Sequence, residues 1–331
     1  MDNLPVDFNH PVVRDYLALV RLQVLTPLSL LINVATLIVC SLVTTPTISR
    51  VFHRNPTAIS PHTESIAVYV IVIFVCQLGY CFLLVLARKQ KTKMTLIKAC
   101  GHPLVLSNWV MALWAIMFVF EWFIAASVFQ GILLVLLLYS NIVLLIYHPP
   151  SWERPLDIAL IHAPLRFFLA LPMMILFPYC LLYPVVGTPI LPEEPGEGPK
   201  KYSAWHAWLG FAVVMPTNFV AFLVVAIRRD LVFCIAATWL CISLWLERPK
   251  PAPVNITVIV FTALHPLAFI CSYGYKIYHE RTGRRIQLPG HDEALHPESD
   301  PRRRRQRQRD SDSTAREIIA EEEWGDQEDG V

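Results

Sequence analysis

The 331-residue chain is 55% hydrophobic and 16% charged, with a mean hydropathy of +0.47. Soluble domains carry roughly 25% charged residues, so this composition excludes an ordinary soluble fold. The formal net charge of +2 decides little by itself, because the charges are placed very unevenly.

Residues 1–23 read as an N-terminal cytosolic or interfacial segment. Asp2, Asp7 and Asp15 and the absence of a basic region leading an apolar one argue against a cleaved signal peptide. Residues 11–25 suit a short interfacial helix with Pro11 in its first turn, or equally a plain extension of the first span. A transmembrane domain then fills residues 24–278. Its apolar runs predict eight spans, at 24–43, 66–86, 104–121, 127–147, 164–186, 205–227, 231–246 and 254–278. The stretch 104–147 is the clearest. It holds one charged side chain, Glu121, and as a single helix it would run about 66 Å at 1.5 Å per residue. That is about twice the 30 Å of a hydrocarbon core, so a turn is expected near 121–127. The run 231–246 is short, and either a steep helix or a re-entrant segment fits it.

With eight spans, 22 of the 28 Lys and Arg residues fall on the side of the two termini. The positive-inside rule then puts both termini in the cytosol. On that side, Arg88, Lys89, Lys91, Lys93 and Lys98 lie in one loop without an acid. They are placed to meet anionic headgroups, at about 1 kcal/mol per basic residue, or simply to fix topology. The loop 187–204 is rich in Pro, Gly and Glu and reads as an irregular connector. The tail, 279–331, splits into a basic block around Arg302–Arg305 and an acidic block around Glu321–Glu323. It is expected to be a disordered, charged cytosolic tail. Beside a membrane domain its basic block fits lipid rather than nucleic acid, and its Arg-x-Arg arrangements resemble retrieval signals of the endomembrane system. The eight cysteines lie mostly within apolar spans, without Cys-x-x-Cys or zinc spacing, and read as small hydrophobes.

Polar groups inside spans are costly and often functional. The densest group is Arg154-Pro-Leu-Asp157-Ile-Ala-Leu-Ile-His162-Ala-Pro164-Leu-Arg166. His162 and Arg166 share a helix face, and Pro164 frees a backbone carbonyl. Such a broken, charged helix resembles the discontinuous helices of transporters. Asp157, His162 and Arg166, with His265 of the last span, form the candidate intramembrane polar site. Asp157, the nearest acid in sequence, is the expected partner of Arg166. Alternatively the span starts at Pro164, and His162 and Arg166 snorkel to the headgroups. Gln77, Asn108, Gln130, Asn141 and Asn218 suit hydrogen bonds between helices. Arg228-Arg229-Asp230 reads as a turn carrying a topology signal. No G-x-S-x-G, H-E-x-x-H, P-loop or G-x-G-x-x-G pattern occurs, so no catalytic residue, cofactor or metal site is assigned.

The run Tyr147-His-Pro-Pro150 followed by 154–168 (RPLDIALIHAPLRFF), together with Arg228-Arg-Asp230, Ala236-Ala-Thr-Trp239 and Phe261-Thr-Ala-Leu-His-Pro266, resembles a fungal multi-pass membrane family known as domain of unknown function 1774. The resemblance covers residues 12–278. It implies a fungal source and a membrane location and carries no activity. The expected fold is an all-α, polytopic bundle of about eight helices. Three functions remain open: a transporter- or channel-like protein, a structural or trafficking component acting through its tail, and a lipid-modifying membrane enzyme.

Overall fold

The computed structural model describes residues 11–86, 92, 96–147, 158–186 and 203–283. Among them every regular element is helical and no strand occurs. Apolar segments this long must satisfy their backbone groups internally, which a helix does without help from neighbours. Helix α1 (Pro11–Ile38) ends in a π turn (Val39–Val43), closed by the Thr44 N–H on the Val39 carbonyl. A short α2 (Ile48–Arg54) follows, then α3 (Thr63–Leu86), α4 (His102–Val119) and α5 (Phe123–Tyr147). The next span is broken. A π turn (Ile158–His162) leads into α6 (Ala163–Leu171), and a second π turn (Pro172–Leu176) leads into α7 (Phe177–Val186). The bundle closes with α8 (Ala204–Arg228), α9 (Leu231–Leu246) and α10 (Ala252–Gly283).

Seven of these helical stretches are long and apolar enough to cross a membrane, and Leu231–Leu246 is a shorter apolar helix beside them. The protein is a multi-pass membrane protein. The broken span is its centre: 83% of its membrane-length window is buried, against 28–56% in the other spans. It packs through α6 on α3, α5 and α9, and through α7 on α5, while α1, α4 and α5 form a neighbouring layer. Gly79 of α3 permits this closeness, since a Cβ there would sit 2.8 Å from Leu160.

Several element bounds differ from those expected. The first helix begins at Pro11 and runs on through Pro27, with no separate interfacial helix. Pro27 is exposed, so its ring meets the surroundings of the bundle, not a neighbouring helix. The turn after α4 is tighter than expected. Glu121 adopts a left-handed backbone (φ 58°) and α5 resumes at Phe123. The basic loop with Arg88, Lys89, Lys91 and Lys93, the Lys98 side chain, Asp157, and the tail from 284 lie outside the described residues or side chains. Contacts divide the chain into two units, 1–273 and 274–331. In the second, the described residues are the last turns of α10, where Thr282 donates to the Tyr278 carbonyl.

The segment between α2 and α3 is a buried loop, which is unusual because loop backbone groups normally need water. Thr57, Ala58, Ile59 and Ser60 are each at most 5% exposed. Distant elements supply their partners. Tyr179 of α7 donates to the Asn55 carbonyl (2.7 Å), the His62 N–H reaches the Ser243 carbonyl of α9 (2.9 Å), and Lys250 Nζ donates to the Ser60 carbonyl (2.7 Å). Gly210 of α8 makes room, because a Cβ there would meet Ala58 Cβ at 2.6 Å.

Lys250 lies in the connection between α9 and α10, outside the spans. Desolvation by burial pushes its ammonium down to about 7, partly opposed by Glu247. Its folded value thus lies below the unfolded one. Between about pH 7 and the ordinary lysine range the unfolded chain holds the extra proton, so stability rises with pH there. In detergent, the thermal midpoint of the wild type should climb from pH 7 to pH 9 relative to Lys250→Met. A constant difference between the two proteins would contradict this.

Candidate functional site

The junction of α8 and α9 explains how a charge is brought into the bundle. Arg229 takes a left-handed conformation (φ 54°) and its N–H closes on the Val225 carbonyl at 2.9 Å. That single residue reverses the chain. It leaves Asp230 as the N-cap of α9, where Oδ1 accepts the Phe233 N–H at 3.2 Å. A carboxylate in this position satisfies an otherwise unpaired helix N–H and meets the positive end of the helix dipole.

The other carboxylate oxygen is used elsewhere. Asp230 Oδ2 lies 2.7 Å from Arg166 Nη1 of α6, and the two side chains are 6% and 8% exposed. The pair is a short, charge-assisted contact inside protein. Arg166 therefore has an acidic partner among the described residues, and it is Asp230, not the Asp157 expected from sequence. Asp157 lies outside them. His162, one turn before Arg166, is 3% exposed. Both side chains are enclosed by the bundle and neither snorkels outward.

The backbone around Arg166 is also gripped by side chains. Asn141 Nδ2 of α5 donates to the Leu137 carbonyl at 2.8 Å and reaches the Leu165 carbonyl at 3.3 Å. Tyr69 of α3 donates to the Phe167 carbonyl at 2.8 Å. These contacts from α3 and α5 hold α6 just ahead of Pro172, which has no N–H with which to continue the helix. The π turn that follows is closed by the Phe177 N–H on the Pro172 carbonyl. π turns of this kind occur mostly as single insertions, frequently at functional sites.

His265 belongs to a second polar node. It is fully buried in α10, its ring centroid lies 5.6 Å from that of Phe261, and the Asn218 backbone of α8 lies beside it. Neither ring nitrogen makes a well-formed hydrogen bond. Asn218 accepts from Cys241 of α9 at 2.9 Å and donates to the Val214 carbonyl. A third node, Asn33–Asn108–Gln77, links α1, α4 and α3 through amide bonds of 3.0 and 2.9 Å. Sequence reasoning named Asn108 and Gln77 but not Asn33.

Among the described residues no group of three or more His, Cys, Asp or Glu side chains is placed to hold a metal ion. All eight cysteines are free thiols. No protein-family model matches the chain, and no curated protein and no solved structure is significantly similar to it.

Asp230→Asn keeps the cap on α9 but leaves the Arg166 charge without its counter-ion. Breaking one side of a buried pair costs about 3–5 kcal/mol. The variant should melt well below wild type, and Arg166→Met combined with Asp230→Asn should recover most of the loss. A double variant no more stable than Asp230→Asn alone would show that the pair is not the source of the cost.

Proposed function

We propose that this protein is transporter-like, with the broken span α6–α7 as its working element. The supporting observation is that this one span has two roles. Its first half carries Arg166, tied to Asp230. Its second π turn is bracketed by Leu171 and Leu176, which line a cavity of about 640 Å³ between α1, α2 and α3. A helix interrupted twice at the centre of a bundle has fewer intrahelical bonds to break when it shifts. The ion pair then acts as a latch between this span and the α8–α9 turn. His162 and Arg166 form the polar face in this reading, Asp157 is a proposed further member of the site, and His265 marks the separate node on α10.

The charge asymmetry supports a topology with both termini cytosolic and Leu231–Leu246 as an eighth, short crossing. The Arg166–Asp230 pair then lies toward the cytosolic face and the buried loop at the opposite end. The motif resemblance supports membership of the fungal family named above, and the tail's arginine pattern supports an endomembrane location.

The conformational claim is testable without a known substrate. Ala170 is fully buried one turn beyond Arg166. Ala170→Cys in sealed vesicles should react slowly with a membrane-impermeant maleimide, read at that peptide by mass spectrometry. Adding Asp230→Asn should speed the reaction at least about tenfold, as expected if a latch worth more than 1.4 kcal/mol is released. Protection of the introduced thiol in both backgrounds, from both faces of the membrane, would remove the transporter reading.

A further inference from the structure

The 640 Å³ cavity is a groove with a distinct chemistry along its length. Leu37, Phe52, Val70 and Phe74 form its walls, with Leu171 and Leu176 at its floor. Leu42, Ile71 and Val75 also line it and are 77%, 58% and 63% exposed. These lips face outward from the bundle, so the groove opens sideways, toward lipid. At its α2 end the lining turns polar. Ser49 Oγ donates to Thr63 Oγ1 at 3.2 Å, and Glu64, the residue after Thr63, also lines the groove. Among the described residues the ion pairs are His53–Glu247, Arg54–Glu121 and Arg166–Asp230. Glu64 is in none of them, and Arg50 does not line the groove.

Size and polarity define the occupant. From Thr63 to Val75 the groove follows α3 for about 18 Å at 1.5 Å per residue. That is close to half of a hydrocarbon core of about 30 Å, the depth one leaflet's acyl chain reaches. The volume lies within the roughly 300–1,000 Å³ of small-ligand sites. An exposed acid outside those ion pairs, lining the same end of the groove as the Ser49 and Thr63 hydroxyls, complements a cationic, hydrogen-bond-donating head. A fatty acid or a phosphate monoester would meet like charge there.

We propose that the groove binds a single-chain aliphatic amine, with its chain between α1 and α3 and its ammonium on Glu64. The proposal deepens the transporter reading by naming a substrate class. It is tested by binding alone, so it can fail while the latch of Arg166 and Asp230 survives, and the reverse.

The probe is octadecylamine carrying a diazirine in its chain, added to the full-length protein in phosphatidylcholine vesicles. Labelling should saturate and map to α1 and α3. Unlabelled octadecylamine should compete, and octadecanoic acid should not. Val70→Trp, which fills the groove, should cut labelling at least about tenfold, a loss of about 1.4 kcal/mol or more. Glu64→Gln lies at the exposed rim, where folding is not at stake. It should weaken the amine at least about fivefold and leave labelling by the matching octadecanol probe unchanged. Non-saturating labelling would identify ordinary surrounding lipid and overturn the proposal. So would equal competition by the acid or by a two-chain phosphatidylethanolamine, or an amine affinity indifferent to Glu64→Gln.

Discussion

A guanidinium enclosed by apolar helices keeps its charge, because arginine does not deprotonate inside proteins. Arg166 therefore dictates where a carboxylate has to be. A helix N-terminus is an economical place, because one oxygen can cap a backbone N–H while the other meets the cation. Asp230 fills that role, with Oδ1 on the Phe233 N–H and Oδ2 on Arg166. The left-handed Arg229 and the two-residue turn between α8 and α9 put Asp230 in that place. So does the position of α9 against α6. Removing the charge from both partners relieves the demand, whereas removing it from one leaves a buried ion. This asymmetry is why single and double substitutions are expected to diverge.

Proline explains much of the rest. The central span contains Pro164, Pro172, Pro178 and Pro184, each of which withholds a backbone donor. In this bundle Tyr69 and Asn141 reach in from α3 and α5 to carbonyls of α6. The neighbours thus hold the span on α6, the helical stretch between its two π turns. The same span provides the floor of the lateral groove, so a shift near its second π turn would alter both the groove's depth and the register of Arg166.

Much of this architecture could be read locally. The span at 231–246 coincides with α9, because Asp230 and the apolar run between Asp230 and Glu247 are visible in the chain. The limits of α8 agree within one residue at each end for the same reason. Pro164 marked the broken helix, and His162 and Arg166 stood out as polar residues within it. The partner of Arg166 was not readable. It lies 64 residues away in a turn whose arginines looked like the main signal, while Asp157 was close in sequence. Only packing of α9 on α6 brings Asp230 to the guanidinium. The buried loop was equally invisible, because residues 55–62 carry the Pro, Asn and Ser of any surface connection. The groove had no sequence signature either, since lipid-facing and cavity-facing apolar residues look alike on a helix.

That loop sets a timetable for the protein's making. Residues 55–62 leave the ribosome with the first two spans, yet the groups that satisfy them come much later. Tyr179 follows after more than a hundred residues, Ser243 after nearly two hundred, and Lys250 lies 190 residues beyond Ser60. Until α9 and its trailing connection have been inserted, the loop has only water or insertion machinery to bind. The end of the bundle that carries α2 is thus sealed last, by segments from the far side of the chain. A nascent chain halted before residue 250 would hold most of its spans and still present an unclosed face to quality control.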